Sequence, residues 1–388
     1  MFSDPHLVPR EANYQPLTPL SFLDRALQVW PHQPALAWRG DRWSYAEFGD
    51  LVFRMIAWLR EQGVKQGDVV SVVLTNRPET LAAHFAIPAL GAVLNTINTR
   101  VSGEEIAYIV DHAQSALLIC EPATKAVVPE LDIPVTMLCS SVGDADGENF
   151  FEGAVKPVDL LSKIENETQP VAVNYTSGTT GKPKGVVYTH RGAYLNAIGN
   201  TLEMEFTTSS RYLWTLPMFH CNGWTHTWAV TAAGGLHVCL EKVDPALVIA
   251  TIEAEKVTHM CCATVVLYML LNKMDAPAPV RVKVGTGGAA PTPTLIAGLE
   301  ELGFDLMHLY GLTESYGPTT LNVPGANAPT DLTERAAQLA RQGYHHKIAG
   351  PVRVVDDGGK DVPRDGETIG EIVLRGNTIM AGYLMDPE

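Results

Sequence analysis

Ten residues, Tyr175 to Lys184 (YTSGTTGKPK), contain four small hydroxyl side chains, two glycines and two lysines. Glycines let a backbone turn its N–H groups onto an anion, hydroxyls add donors, and lysines add positive charge, so the stretch has the chemistry of a phosphate loop. It is not a Walker loop. That motif needs G-x-x-x-x-G-K-[ST] leading into a helix. Here Gly178 and Gly181 are separated by two residues, and Lys182 is followed by Pro183, which has neither hydroxyl nor N–H. The apolar runs on either side read as strands, so an exposed polar hairpin turn would have the same composition, and the stretch alone does not decide between the two.

Further stretches carry chemistry. VGTGGAAP (Val284 to Pro291) ends a strand pattern in a Gly-rich bend before a helix, a place where open α/β sheets bind ligands. HLYGLTESYGP (His308 to Pro318) ends another strand pattern with an aromatic, a glycine, a hydroxyl and a carboxylate in sequence, and GEIVLRGNTIMAGY (Gly370 to Tyr383) closes the series. In LWTLPMFHCNGWTHTW (Leu213 to Trp228), His220, Cys221 and His226 are possible metal ligands, but no fourth ligand or regular spacing accompanies them, which argues against zinc. A histidine beside aromatics is more often a packed core residue.

The elements that must position these residues alternate helix and strand. Leu51–Leu59, Pro78–Leu90 and Glu104–His112 read as helices, with Asp68–Leu74, AVLNTIN and ALLIC as strands, the rhythm of a helix-covered parallel sheet. The segment 122–170 is less regular, and a second alternating series starts at Val171. One helix start is explicit: Thr292 caps, Pro293 occupies the first turn, Leu295, Leu299 and Leu302 share a face, and Gly303 stops it. From about Tyr344 short strands and turns suggest a small β subdomain. The expected division is 1–170, an α/β subdomain; 171–340, a second α/β subdomain; and 341–388, a small β subdomain.

At 388 residues, 46% apolar and 18% charged, the chain is globular and long enough for two or three cores. Its 28 basic and 43 acidic residues give a net charge of −15, which argues against a nucleic-acid partner. The six cysteines include no C-x-x-C pair and sit largely in apolar runs, as free thiols of a reducing compartment would. With no membrane-spanning run and no leader pattern, the expected location is cytoplasmic.

Taken in order, these motifs resemble the adenylate-forming (AMP-binding) superfamily of acyl-CoA synthetases, luciferases and peptide-synthetase adenylation domains, over nearly the whole chain. The resemblance implies two α/β subdomains with layered sheets plus a small distorted β-barrel. It places Thr176, Ser177, Gly178, Thr179, Thr180 and Lys184 on the β- and γ-phosphates of ATP, and Gly288, Ala289 and Ala290 along the adenine. Tyr310 would stack on that ring beside Gly311, Thr313 would contact the α-phosphate, and Glu314 would hold Mg²⁺. The acyl pocket would use His220, Cys221, Trp224, Gly287 and Gly288, with His220 at its mouth and Trp224 on its wall; Thr176, Lys184, His220 and Glu314 form the implied catalytic set. PMFHCNGW is similar to the branch of short-, medium- and branched-chain and aryl acyl-CoA ligases that includes the methylmercaptopropionate-CoA ligases. Its lack of an acidic residue counts against an amino-acid substrate.

The implied reaction is carboxylate attack on Mg·ATP to give acyl-AMP, then transfer to CoA. A ligase feeding a carrier protein, and a non-catalytic nucleotide-binding module, are the alternatives. CCATVV (Cys261 to Val266) replaces a Gly-Ala-Pro turn usual in this branch. The family's ribose aspartate, hinge and adenylation lysine would follow MDPE. The 388 residues are therefore expected to be the N-terminal domain of such an enzyme and, alone, nearly inactive. A homodimer is one assembly left open.

Overall fold

The computed structural model describes residue 7 and residues 10–138, 147–176, 181–322 and 329–386. Two large sheets dominate. The seven-stranded one runs Gly382–Tyr383, Lys184–Thr189, Pro170–Thr176, Val93–Thr96, Val69–Val73, Ser115–Cys120, Val135–Met137. It is parallel from Pro170–Thr176 onward and antiparallel at the other edge. The nine-stranded sheet runs Tyr344–His345, Gly317–Asn322, Phe304–Leu312, Val282–Gly287, His259–Ala263, Arg211–Leu213, Leu236–Val238, Pro34–Trp38, Asp41–Ser44, with a parallel interior and antiparallel ends.

Strand parity sorts side chains into layers, because successive residues point to opposite faces. Val70, Val72, Leu117 and Ile119 enter the central core, whereas Val73, Leu118 and Cys120 face an outer one with Ile106, Ile109 and Val110 of helix Gly103–His112. On the other sheet Cys261 faces the central core, and Met260 and Cys262 an outer core under helices Pro245–Glu255, Thr264–Leu271 and Pro293–Glu301. Helices Leu20–Val29, Tyr45–Glu61, Pro78–Ala89, His190–Met204 and His226–Ala233 lie between the sheets. The result is five layers, helix, sheet, helix, sheet, helix. Every residue of Pro78–Ala89 is buried, as its near-continuous apolar run requires.

The expected helices form where their signals lie. Ser44 with Glu47 and Ser102 with Glu105 make reciprocal capping boxes. Thr292 accepts from the Leu295 N–H, and Leu295 and Leu299 are buried. The expected barrel is corrected: among the described residues, 341–386 closes no barrel. Val352–Val355 pairs with Glu371–Leu374, while Tyr344–His345 and Gly382–Tyr383 are drawn onto open edges of the two large sheets. Sheet membership also crosses residue 170 in both directions. Pro34–Ser44 completes the nine-stranded sheet, and the Pro170–Thr189 hairpin belongs to the seven-stranded one.

Candidate active site

The loop expected to bind phosphate springs from a hairpin. Thr176 and Lys184 face each other across the ladder of Pro170–Thr176 and Lys184–Thr189, bracketing the loop at its base. Ser177, Gly178, Thr179 and Thr180 lie outside the described residues. Gly382–Tyr383 adds to the outer side of this hairpin and brings two groups to Lys184. The ammonium lies 4.5 Å from the centre of the Tyr383 ring and 2.9 Å from Asp386 Oδ2. The Tyr383 hydroxyl donates to Glu314 Oε1 at 2.8 Å, and the Met380 N–H to the Glu314 carbonyl at 2.9 Å. Desolvation and the hydrogen bond to Glu314 push the Tyr383 phenol up to about 12, so it remains a donor. Residues 130 apart in sequence, Lys184 and Glu314, are thus joined through one tyrosine.

Strands Val282–Gly287 and Phe304–Leu312 are parallel neighbours, with Gly287 opposite Leu309. Their C-terminal ends therefore place the bend Gly288–Ala290 beside Tyr310, the side of an open sheet where ligands bind. Gly288 adopts φ +95°, a conformation that suits glycine, and it is exposed together with Ala289 and Ala290. Thr264 Oγ1, at the start of the helix after CCA, donates to the Ala289 carbonyl and ties the bend down. Tyr310 is half-buried opposite Thr320. Gly311 packs so tightly on Gly317 that a Cβ there would fall inside the Gly317 carbonyl. Thr313 opens a single 3₁₀ turn. Its carbonyl accepts from Tyr188 OH at 2.7 Å, and the Tyr188 ring stacks on Tyr316 at 3.6 Å.

The acyl segment takes an unusual path. Cys221, Asn222, Gly223, Trp224 and Thr225 all have φ between 40° and 62°, a turn of left-handed helix containing four non-glycine residues. It carries Trp224 into the gap between the Gly-rich bend and the start of strand Gly317–Asn322. A Cβ on Gly287 would lie 3.8 Å from Trp224 Cη2, and one on Gly317 2.9 Å from Cδ1. Cys221 is buried with Sγ 3.7 Å from Thr313 Oγ1, and burial pushes its thiol up to about 12, so it lines the site as a neutral group. His220 is exposed at the rim, and partial desolvation holds its imidazole below the ordinary value. His226 turns the other way. Buried against Tyr212, whose hydroxyl lies 2.9 Å from Nδ1, it is a core residue and shares no site with His220.

Sequence reasoning gave no role to Tyr383, the last residue of GEIVLRGNTIMAGY, or to Asp386, which lies beyond that motif. It also missed Tyr188 and Asn200. Neither stands in a Gly-rich motif, and only the contacts of helix His190–Met204 and its preceding strand reveal them.

The family model described as "AMP-binding enzyme" matches residues 23–384. The chain belongs to the AMP-binding enzyme family. This AMP-binding enzyme is 37% identical over 410 aligned residues to the peroxisomal butyrate–CoA ligase AAE11 of Arabidopsis thaliana, covering 99% of the chain and 72% of the relative. It is 38% identical to the peroxisomal benzoate–CoA ligase of the same plant, covering 97% of the chain and 70% of the relative. An inhibitor-bound N-terminal domain of FACL13 from Mycobacterium tuberculosis superposes with a TM-score of 0.82 at 25% identity, over 95% of this chain and 92% of that one. The AMP-binding enzyme is an acid–thiol ligase: it activates a carboxylic acid with ATP to an acyl-adenylate and passes the acyl group to CoA. Among the described residues no helix is long and apolar enough to cross a membrane.

Proposed function

We propose that the acid is small: a short, medium or branched-chain fatty acid or an aryl acid. The observation that carries this is the Trp224 indole wedged between Gly287 and Gly317, beside Thr313's neighbour Cys221, where it shortens any acyl cavity opening from that end of the sheet. Butyrate and benzoate, the acids in the names of the two relatives, are of that size. No acid occurs in MFHCNGW to meet a substrate ammonium.

In this reading Lys184 and Thr176 hold the terminal phosphates, Gly288 to Ala290 and Tyr310 hold the adenine, and Thr313 contacts the α-phosphate. His220 stands where the carboxylate enters. Charge neutralisation and positioning are what in-line displacement at phosphorus requires, and these residues provide both. Glu314 suits Mg²⁺. Among the described residues no group of three or more His, Cys, Asp or Glu forms a cage. A single half-buried carboxylate near a phosphate lysine fits a hard cation that keeps its waters and shares ligands with phosphate. When bound, the cation would neutralise phosphate charge, and Glu314→Gln should abolish the magnesium enhancement of ATP binding. The buried free thiols Cys120, Cys221, Cys239, Cys261 and Cys262 suit a cytosolic, reducing location, which cell fractionation tests.

The deciding experiment is a thioester-formation panel over acids of graded length and bulk, run in a version that also carries the family's adenylation lysine, with Trp224→Ala alongside. The parent should prefer small acids and the variant should shift toward longer or bulkier ones. An unchanged profile would mean Trp224 does not bound the acyl site.

A further inference from the structure

The left-handed turn at 221–225 is an expensive way to connect two elements. An L-residue in that conformation costs roughly 1–2 kcal/mol, and four of the five residues are not glycine. Such backbone persists only where its surroundings over-determine it. Two asparagines do so from opposite sides. Asn222, within the turn and fully buried, donates from Nδ2 to Thr96 Oγ1 at 2.8 Å, anchoring the turn to strand Val93–Thr96. Asn200, on helix His190–Met204 and 2% exposed, donates from Nδ2 to the Trp224 carbonyl at 2.8 Å and to Thr225 Oγ1 at 3.0 Å. The main chain adds a Gly223 N–H to His220 carbonyl contact at 2.8 Å and a longer one from the Thr225 N–H to the Asn222 carbonyl at 3.3 Å, and the Thr225 carbonyl accepts from the Trp228 and Ala229 N–H groups of the next helix; the Trp224 carbonyl is the one that Asn200 holds.

We infer that Asn200, which lies outside the acyl site, is a positioning residue that sets acid specificity by fixing the carbonyl end of Trp224 and with it the direction of the indole. The geometry is direct. With its carbonyl held by Asn200, Trp224 presents its ring to Gly317 on one side and Gly287 on the other, and a rotation about the Trp224–Thr225 link would carry the ring out of that gap. Specificity for the acid is then written partly on a helix packed between the sheets. Asn200 touches the turn that carries the wall and none of the assigned nucleotide or acyl residues except Trp224's backbone. This inference rests on the reading of Trp224 as the acyl wall.

The test is a double-mutant cycle in a version of the enzyme that also carries the family's adenylation lysine, scored by acid KM and kcat over a graded panel, with ATP KM as the internal control. Losing one buried hydrogen-bonded restraint should raise KM for a four-carbon acid roughly 5- to 10-fold in Asn200→Ala. Relative activity should move toward bulkier acids, with ATP KM unchanged. Asn200→Leu keeps the volume and loses the donor without burying a charge; it should behave like Asn200→Ala, and it answers for the alanine variant should that one fail to fold. In a Trp224→Ala background, where no indole remains to be aimed, Asn200→Ala should change acid KM less than about 2-fold, because the two residues act through one interaction. The inference is overturned if Asn200→Ala has the same effect with and without the indole, or if it lowers kcat for all acids alike and leaves their ranking intact. A Trp224→Ala variant with an unaltered profile would instead sink the acyl-wall reading, a separate outcome.

Discussion

Lys184 illustrates how a residue's type can be read from sequence while its partners cannot. The family resemblance made it an expected phosphate ligand, yet nothing in YTSGTTGKPK pointed to residues 383 and 386. Its ammonium rests on the Tyr383 ring and pairs with Asp386, a half-exposed contact of the kind that adds little stability. The lysine is therefore held near its target by weak interactions that a phosphate can displace. Lys184→Ala should weaken ATP binding by ~1.5–3 kcal/mol, the value of a charge-assisted hydrogen bond, and leave adenosine binding almost unchanged. Calorimetric titration with both ligands measures this, and equal losses for the two would relegate the loop to scaffold. His226 shows the converse. Six positions from His220, it had a ligand's residue type but lacked the spacing and fourth ligand of a metal site, and it is buried as a core residue, the left-handed turn lying between the two.

At the scale of elements, the helix start at Thr292 before Pro293 was legible from its capping chemistry, whereas the boxes of Ser44 with Glu47 and Ser102 with Glu105 were not read, so the helix read as Leu51–Leu59 in fact begins at Tyr45. Strands were legible as β-rich runs. Their partners were not, since pairing is decided by tertiary placement, and so the two-residue strands at 344–345 and 382–383 read as parts of a barrel and are edges of large sheets. The turn at 221–225 left only a faint trace in sequence: Asn222-Gly223 is a pair that takes positive φ readily, but Cys, Trp and Thr carry no such preference. The hairpin of Phe304–Leu312 and Gly317–Asn322 shows what a motif glycine is for. Gly311 meets the Gly317 carbonyl at a distance no side chain permits. Gly311→Ala must part the two strands that present Tyr310 and Thr313. We expect about 1–3 kcal/mol of destabilisation from the overpacking, together with weaker ATP binding. A urea titration and a nucleotide titration of the same variant check both, and wild-type values would show that the hairpin accommodates the methyl group without loss.

For the molecule as a whole, layering buries ionisable groups that a two-layer protein would leave wet. His84 and His190 are held down to about 4, and His226 and His237 to about 3, chiefly by desolvation. In the unfolded chain each titrates near 6.5, so below that pH the unfolded state binds more protons and stability falls as pH falls, levelling only below the folded values. At pH 5.5 each histidine removes about 1.4 kcal/mol, and four together about 5, a large share of a typical stability. Urea midpoints should drop steeply from pH 7.5 to 5.5 and the slope should lessen in His237→Gln; a flat profile would refute this account. The exchange of strands across residue 170 has a consequence for the newborn chain. Leu36 pairs with His237, about 200 residues later, and Val187 with Gly382 at similar remove. During synthesis the first strands emerge with apolar faces uncovered and no partner yet made, and closing such long loops precedes any reward from the contacts they allow. The ribosome thus delivers two unfinished halves that must wait for each other, and chaperones would meet this protein early, at Pro34–Trp38, well before its chemistry exists.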